Sequence, residues 1–240
     1  MDSGRLLIVI PAYNEAGRVG AVVRDVIATL PDAHILVIDD GSADATAVEA
    51  REAGAIVASL PLNSGYGAAL QTGYKYAVRH GYDVIGQIDA DGQHQAAYLV
   101  DMLKELEARP ADVVIGSRFL GNDGHYKASK ARAAGIALFG RIASTVTRQH
   151  ITDPTSGFQV LRADVARFFC TDVYPSDYPD ADILILLHRS GFSVCEVAVQ
   201  MRQSTNVSMH SGHKSLYYVY KMVLSIFVTM LRPAKANESA

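Results

Sequence analysis

The sequence predicts an α/β fold: a mostly parallel sheet sandwiched by helices, followed by one C-terminal amphipathic helix. Two observations predict it. Short apolar runs alternate with helical patterns through the first half of the chain. Those runs are apolar at consecutive positions, as strands buried on both faces are. The composition agrees, since 240 residues at 49% hydrophobic and 20% charged suffice for a large core.

Leu6–Ile10 reads as the first strand, with a helix from about Ala16 to Leu30. Ile35–Ile38 is the second, with a helix from about Asp44 to Ala53. Ala55–Ser59 is the third, with a helix from about Gly67 to Arg79. Val84–Ile88 is the fourth, and its helix, from about Ala96 to Arg109, is stopped by Pro110. Val113–Ile115 is the fifth. The second half is less regular. Lys130 to His150 reads as helix although Gly135 and Gly140 interrupt it. Phe158–Leu161 reads as a strand, and Asp164–Phe169 as a short helix opened by an Asp cap. Asp182–Arg189 reads as a helix stopped by Gly191, and Phe192–Met201 alternates like a strand. There is no internal repeat and no linker, so residues 1–212 read as one domain.

Residues 213–232 form the C-terminal helix. Past Ser215 its polar positions are Lys221, Ser225, Thr229 and Arg232, one narrow helical stripe. A helix this apolar packs on its own domain, meets a second copy, or lies on a membrane surface. Lys221 and the short apolar length argue against spanning. Residues 233–240 read as a disordered tail.

Lys plus Arg number 22 and Asp plus Glu 25, for a net charge of −3. No Lys/Arg run offers a footprint for nucleic acid. The two cysteines, Cys170 and Cys195, form no CxxC pair and no disulfide framework. They read as inert buried thiols of a reducing compartment. Leu6–Ile10 is too short for a signal-peptide core, and no stretch reaches about 18 uncharged apolar residues. The expectation is a cytoplasmic protein, peripheral on a membrane if its last helix meets one.

The informative pattern is where the polar residues fall. In an open α/β sheet, ligands bind at the carboxyl ends of the strands. Four polar clusters begin there: Pro11–Glu15 (PAYNE), Asp39–Ser42 (DDGS), Asp89–His94 (DADGQH) and Gly116–Arg118 (GSR). Asp89 and Asp91, at i and i+2 on extended chain, point the same way. Two converging carboxylates repel unless a cation joins them. Mg²⁺ or Mn²⁺ takes such oxygen ligands, with substrate phosphates completing the shell. Gln93 adds a carbonyl oxygen, and His94 is available to Mn²⁺. Asp39 and Asp40 end the second strand, suited to ribose hydroxyls or a base N–H, while Asp44 or Ser42 caps the next helix. Asn63–Gly67 opens a helix with glycines that admit close backbone approach and an N-terminus that suits anions. Arg118 suits a diphosphate through its bidentate fork.

Together these stretches resemble a family-2 glycosyltransferase of the GT-A fold, a Rossmann-like sheet. The matching set is PAYNE, DDGS, NSGYGAALQTG (Asn63–Gly73), DADGQH, GSRF (Gly116–Phe119) and DPTSGF (Asp153–Phe158), over about residues 6 to 208. DADGQH with DPTSGF resembles the polyprenyl-phosphate branch, whose members use dolichyl or undecaprenyl phosphate. The resemblance implies roles. Pro11, Tyr13, Glu15 and Asp39 line a nucleoside pocket, joined by Asp40, Gly67 and Ala90. Asp89, Asp91 and Gln93 hold Mg²⁺ or Mn²⁺ on the donor diphosphate. Asp153, Asp91 and Arg118 are the catalytic candidates. Arg118, Arg132, Ser156 and Arg202 are candidates for an acceptor phosphate. The chain departs from the family's R-x-x-G-x-S element, with Asn206 where the Gly falls and Arg202 one residue early. Many relatives carry Glu where this chain reads Asp180-Ala-Asp182.

The implied reaction is an inverting transfer from a nucleotide sugar, with UDP the expected nucleotide, to a lipid phosphate. The alternative acceptor is a saccharide hydroxyl of cell-surface polysaccharide, which needs a carboxylate base from among Asp153, Asp180 and Asp182. A nucleotide-binding module without turnover would keep the donor residues. A dinucleotide oxidoreductase is excluded by the missing G-x-G-x-x-G after the first strand. A sugar-1-phosphate nucleotidyltransferase is disfavoured by the lack of a Gly-rich loop there.

Overall fold

The protein is described by a computed structural model covering residues 5–121, 130–175, 179–202 and 213–231, without the side chains of 130–134 and 213–220. The order begins β1 (Leu6–Ala12), α1 (Val19–Thr29), β2 (His34–Asp39), α2 (Thr46–Glu52), β3 (Ile56–Ser59), α3 (Tyr66–Arg79) and β4 (Val84–Gln87). It continues α4 (Ala97–Ala108), β5 (Val113–Ser117), α5 (Lys130–Thr147), β6 (Gln159–Arg162), α6 (Ala163–Phe169), α7 (Ala181–Arg189), β7 (Val194–Ala198) and α8 (His213–Leu231).

The strands form one sheet in the order β3-β2-β1-β4-β6-β5-β7. Only β6 runs against its neighbours, pairing antiparallel with both β4 and β5. The carboxyl ends of β1, β2, β4 and β5 therefore share one edge. The start of β6 comes to that same edge, where Gln159 stands opposite Gln87 and Ile115. An antiparallel insertion thus delivers the segment before β6 to the site.

Both faces of the sheet are covered, and the side chains alternate between two layers. Leu7, Val9, Leu36 and Ile38 join one cluster with Leu70 and Tyr74 of α3, Phe169 of α6 and Leu187 of α7. Ile8, Ile10, Ile35 and Val37 join the other with Val22 and Val26 of α1 and Leu99 of α4. Period-two alternation with both sets buried is why the strands read as unbroken apolar runs.

Some boundaries differ from expectation for local reasons. Helix α1 begins at Val19 because Arg18 and Val19 both donate to the carbonyl of Glu15, closing a turn first. Asp164 does not cap α6. Arg162 stands there in extended conformation, and Asp164 of the first turn pairs with Arg167 of the last. Strand β7 stops at Ala198, and Met201 bridges across to His94 instead. Cys170 and Cys195 are free and half-buried rather than buried, and burial raises both thiol pKa values.

Helix α8 docks through Met222 and Ile226 on Phe139 of α5 and on Ala181 and Ile185 of α7. Ser225 donates to the carboxylate of Asp182. Asp182 also accepts from the backbone N–H of Asp180 (3.1 Å) and Ile183 (2.9 Å). No helix among the described residues is long and apolar enough to cross a membrane. The residue-212 boundary and the 233–240 tail lie outside the described residues.

Burial raises the Asp182 carboxyl above its ordinary value, opposed by its hydrogen bonds. The folded state therefore holds this proton more tightly than the unfolded chain does. The cost of burying the charge is absent below the ordinary carboxylate value, about pH 4, and is fully present once pH passes the raised folded value. Asp182→Asn keeps a carbonyl acceptor and removes that charge. Its stability relative to wild type is expected to rise with pH, and urea unfolding at about pH 4 and about pH 8 checks it. An equal difference at both pH values would sink the idea.

Candidate active site

The DDGS turn follows β2. Gly41 turns there at φ 70°, and a Cβ would meet the Leu62 carbonyl carbon at 2.6 Å. Asp39 accepts from Ser42 N–H at 3.0 Å. Asp40 accepts from Ser64 N–H at 2.7 Å and Gly65 N–H at 3.0 Å. It thus clamps the loop that opens α3, where Gly67 is buried as the second residue. Each oxygen of this carboxylate, expected at a nucleoside, accepts from protein backbone. Asp44, rather than Ser42, accepts from the first N–H of α2, at 3.0 Å on Thr46.

The PAYNE segment lies against this turn. Pro11 is buried in β1 and Tyr13 is half-exposed. Asn14 adopts φ 54°; its N–H donates to Ser42 Oγ (2.9 Å) and its Oδ1 accepts from Ala43 (2.9 Å). Glu15 pairs with Arg18 at 2.6 Å. Burial raises the Glu15 carboxyl; Arg18 opposes this, and Asp91 and Asp89 add to it. The three carboxylates therefore share one field.

Asp89 stands two residues past β4. Tyr66 Oη donates to its Oδ1 at 2.8 Å. Gln87 Nε2 donates to Tyr66 Oη (3.1 Å) and to the Gly157 carbonyl (2.7 Å), and Tyr74 Oη donates to Gln87 Oε1 (2.6 Å). Gly157 has no room for a Cβ, which would run into the Tyr66 hydroxyl and lie 3.4 Å from the Asp89 carboxylate. Asp91 accepts from the backbone and side-chain N–H groups of Gln93. Ala90, between them, is buried. Burial raises both aspartyl pKa values, and Asp89 raises that of Asp91 further. His94 is buried against the Phe158 ring (4.6 Å), with Nε2 3.8 Å from Asp89. Burial pushes its pKa down to about 4, so it is neutral near pH 7.

At the ends of β5 and β6, Arg118 forms a buried ion pair with Asp153. Nε donates to Oδ2 and Nη2 to Oδ1, each at 2.6 Å, and the Arg118 backbone N–H adds a third bond at 3.0 Å. Thr155 Oγ1 takes a further bond from Nη2 at 2.7 Å. Both carboxylate oxygens of Asp153 are thus engaged by Arg118. Glu196 of β7 holds the corner beneath it, accepting from Thr152 N–H (3.0 Å), Thr152 Oγ1 (2.7 Å) and Asp153 N–H (2.9 Å).

Of the acceptor-phosphate candidates, Ser156 is buried and donates its hydroxyl to the Gly116 carbonyl at 2.7 Å, which turns it inward. Arg202 has an exposed side chain, and its backbone N–H donates to the Gln93 carbonyl at 2.8 Å, beside the DADGQH turn. The Arg132 side chain and Asn206 lie outside the described residues. Tyr66, Gln87, Thr152 and Glu196 went unassigned from the sequence. Tyr66 lay inside the quoted NSGYGA stretch, while nothing local marked Glu196.

Among the described residues no three His, Cys, Asp or Glu side chains cluster as a metal site. Asp89, Asp91 and the Gln93 carboxamide fit Mg²⁺ or Mn²⁺ as a partial oxygen shell that a diphosphate and water would complete. The mutual repulsion of the two carboxylates is the observation that fits a cation.

One sheet edge thus carries paired carboxylates, a fastened arginine and a clamped loop ahead of α3. The model of glycosyl transferase family 2 matches residues 7–169, and the chain belongs to that family. It is a glycosyltransferase. It is similar to the polyprenol monophosphomannose synthase of Mycolicibacterium smegmatis, 31% identical over 231 residues, covering 91% of this chain and 85% of that one. It is also similar to the undecaprenyl-phosphate mannosyltransferase of Micrococcus luteus, 31% identical over 180 residues and 72% of each chain. The glucosyl-3-phosphoglycerate synthase of Mycobacterium tuberculosis, solved with Mn²⁺, UDP and phosphoglyceric acid, shares the fold. The TM-score is 0.69 at 18% identity, covering 99% of this chain and 81% of that one.

Proposed function

We propose that this enzyme transfers a sugar from a UDP-sugar to a polyprenyl phosphate, with inversion and with a divalent cation. The observation that carries the reading is the Asp89–Asp91 pair, held at the sheet edge by Tyr66 and Gln93. The names of the relatives support the lipid-phosphate class. Pro11, Tyr13, Glu15 and Asp39 line the nucleoside pocket. Asp89, Asp91 and Gln93 hold Mg²⁺ or Mn²⁺, which when bound stabilises charge on the leaving diphosphate as a Lewis acid. Arg118, preorganised by Asp153, adds fixed positive charge at the same edge.

The two candidate acceptors differ in their need for a base. A saccharide hydroxyl must give up a proton, whereas a phosphate oxygen is already anionic. Asp153 is committed to Arg118, and Asp182 to the α7–α8 contact. His94 is neutral but buried. Asp180, at the start of α7, is partly exposed and stays the candidate base for the alternative acceptor, so the relatives carry the lipid-phosphate reading. The reading puts the enzyme to work as a peripheral protein at the cytoplasmic face of a membrane.

Calorimetric titration of UDP and GDP with and without Mn²⁺ tests the donor half. Radiolabelled transfer to undecaprenyl phosphate in detergent tests the acceptor half. UDP binding that requires the metal, and transfer to the lipid, are expected. Binding indifferent to metal would overturn the first. Transfer to free saccharides with none to the lipid phosphate would overturn the second.

A further inference from the structure

The charge of the chain is unevenly distributed. Residues 124–152 and 197–237 hold ten of its 22 Lys and Arg and none of its 25 Asp and Glu. The remainder carries 12 basic and 25 acidic residues. Of the ten, Arg141 on α5 and Arg148 just past it are described and exposed. The two acid-free stretches contain α5 and α8, which share one apolar cluster through Phe139, Met222 and Ile226. Helix α5 in turn lies against the site. A Cβ on its Gly140 would sit 3.2 Å from the Ile151 carbonyl and 3.7 Å from Pro154, next to Asp153.

The outward face of α8 is apolar. Met222, Ile226 and Thr229 turn inward. Val223, Phe227 and Met230 form one exposed row, and Leu224, Val228 and Leu231 the next, each spaced i, i+4, i+7. Phe227 is 58% and Leu231 68% exposed, and no polar residue interrupts the two rows. Soluble surfaces rarely leave such a patch in water without a partner.

We infer that this face docks on an anionic lipid bilayer, with α8 lying in the interfacial plane and the basic surroundings meeting the headgroups. Apolar insertion and attraction between basic residues and anionic lipid act together at such a surface. Charge decides between this occupant and a second copy. Two copies brought together here would set the basic excess of the α5 and α8 stretches against itself, whereas an anionic leaflet is complementary. The proximity of α5 to the Asp153 corner means that docking here would bring the site edge towards the lipid. The inference does not rest on the acceptor assignment, because vesicle binding needs neither donor nor turnover.

The test is flotation of the full chain with vesicles of phosphatidylcholine alone and of phosphatidylcholine with phosphatidylglycerol. Wild type is expected to float with the anionic vesicles, to float far less with the neutral ones, and to release as salt is raised. Phe227→Glu and Leu231→Glu should each abolish flotation with an unchanged melting temperature, because both side chains are already exposed. Val48→Glu, at an exposed apolar position on α2, should float like wild type. Absence of flotation by wild type, or flotation that survives Phe227→Glu and Leu231→Glu, would overturn the inference. So would a wild-type dimer in light scattering that these variants split without any vesicle binding, since the occupant would then be a second copy.

Discussion

Asp91→Asn is expected to lower kcat/KM for sugar transfer on the order of 10²–10³-fold while leaving the fold as stable as before. The two halves of that expectation have separate causes. Asp91 bears little structural load, since its hydrogen bonds are to its neighbour Gln93, and asparagine keeps an acceptor for the Gln93 N–H. The substitution also removes a charge that burial and Asp89 both disfavour, so folding loses nothing by it. On the proposed reading, catalysis loses one of the two carboxylates that would bind the cation. Steady-state transfer with urea unfolding on the same preparation separates these effects. A full rate in the variant would remove Asp91 from the chemistry. A lost rate with matching loss of stability would make it structural. Retained nucleotide binding with no transfer activity in wild type would return the chain to a binding module.

Much of this site was legible because its parts are local. PAYNE, DDGS and DADGQH each follow an apolar run, and parallel strands send every such segment to one edge. Asp89 and Asp91 share one field as expected, although β4 ends at Gln87 and Asp91 stands in the turn beyond it rather than on extended chain. The residues that orient them were hidden because their partners are far away in sequence. Tyr66 reaches Asp89 across 23 positions and Gln87 reaches Gly157 across 70. Glu196 reads as an ordinary residue of an alternating strand, and only the β5–β7 pairing sets it under Thr152. The direction of β6 was equally hidden, since an apolar run of four residues carries no sign of which way it pairs. That direction decides whether DPTSGF reaches the site. Asp40, Asp153 and Ser156 show the converse. Residue type and motif put them at the edge, and only the hydrogen-bond geometry reveals that their side chains are bonded to protein groups there.

Asp153→Ala is expected to destabilise the domain by about 3–5 kcal/mol, the usual cost of stripping one partner from a buried ion pair. Asp153 is fully buried and the Arg118 side chain is 6% exposed, so water cannot replace the lost carboxylate. The guanidinium would lose two bonds of 2.6 Å, and the Arg118 N–H a third of 3.0 Å. Arg118→Met leaves the opposite charge uncompensated and should cost a similar amount at neutral pH. The double variant removes both charges together. It should therefore cost less than the two single losses combined, by about 1 kcal/mol or more, as contacting residues couple. Urea unfolding of the three variants completes the cycle, and strict additivity would show that the pair contributes nothing as a pair. The loss is large against the roughly 5–15 kcal/mol that holds a domain folded. Activity supplies the other half of the argument. On the proposed reading Asp153 acts on the reaction only through Arg118, so transfer by the Asp153→Ala protein, assayed cold enough to stay folded, should fall towards that of Arg118→Met and no lower. A deeper loss in Asp153→Ala than in Arg118→Met would give the carboxylate a direct role in the chemistry, which its burial and its three bonds to Arg118 argue against.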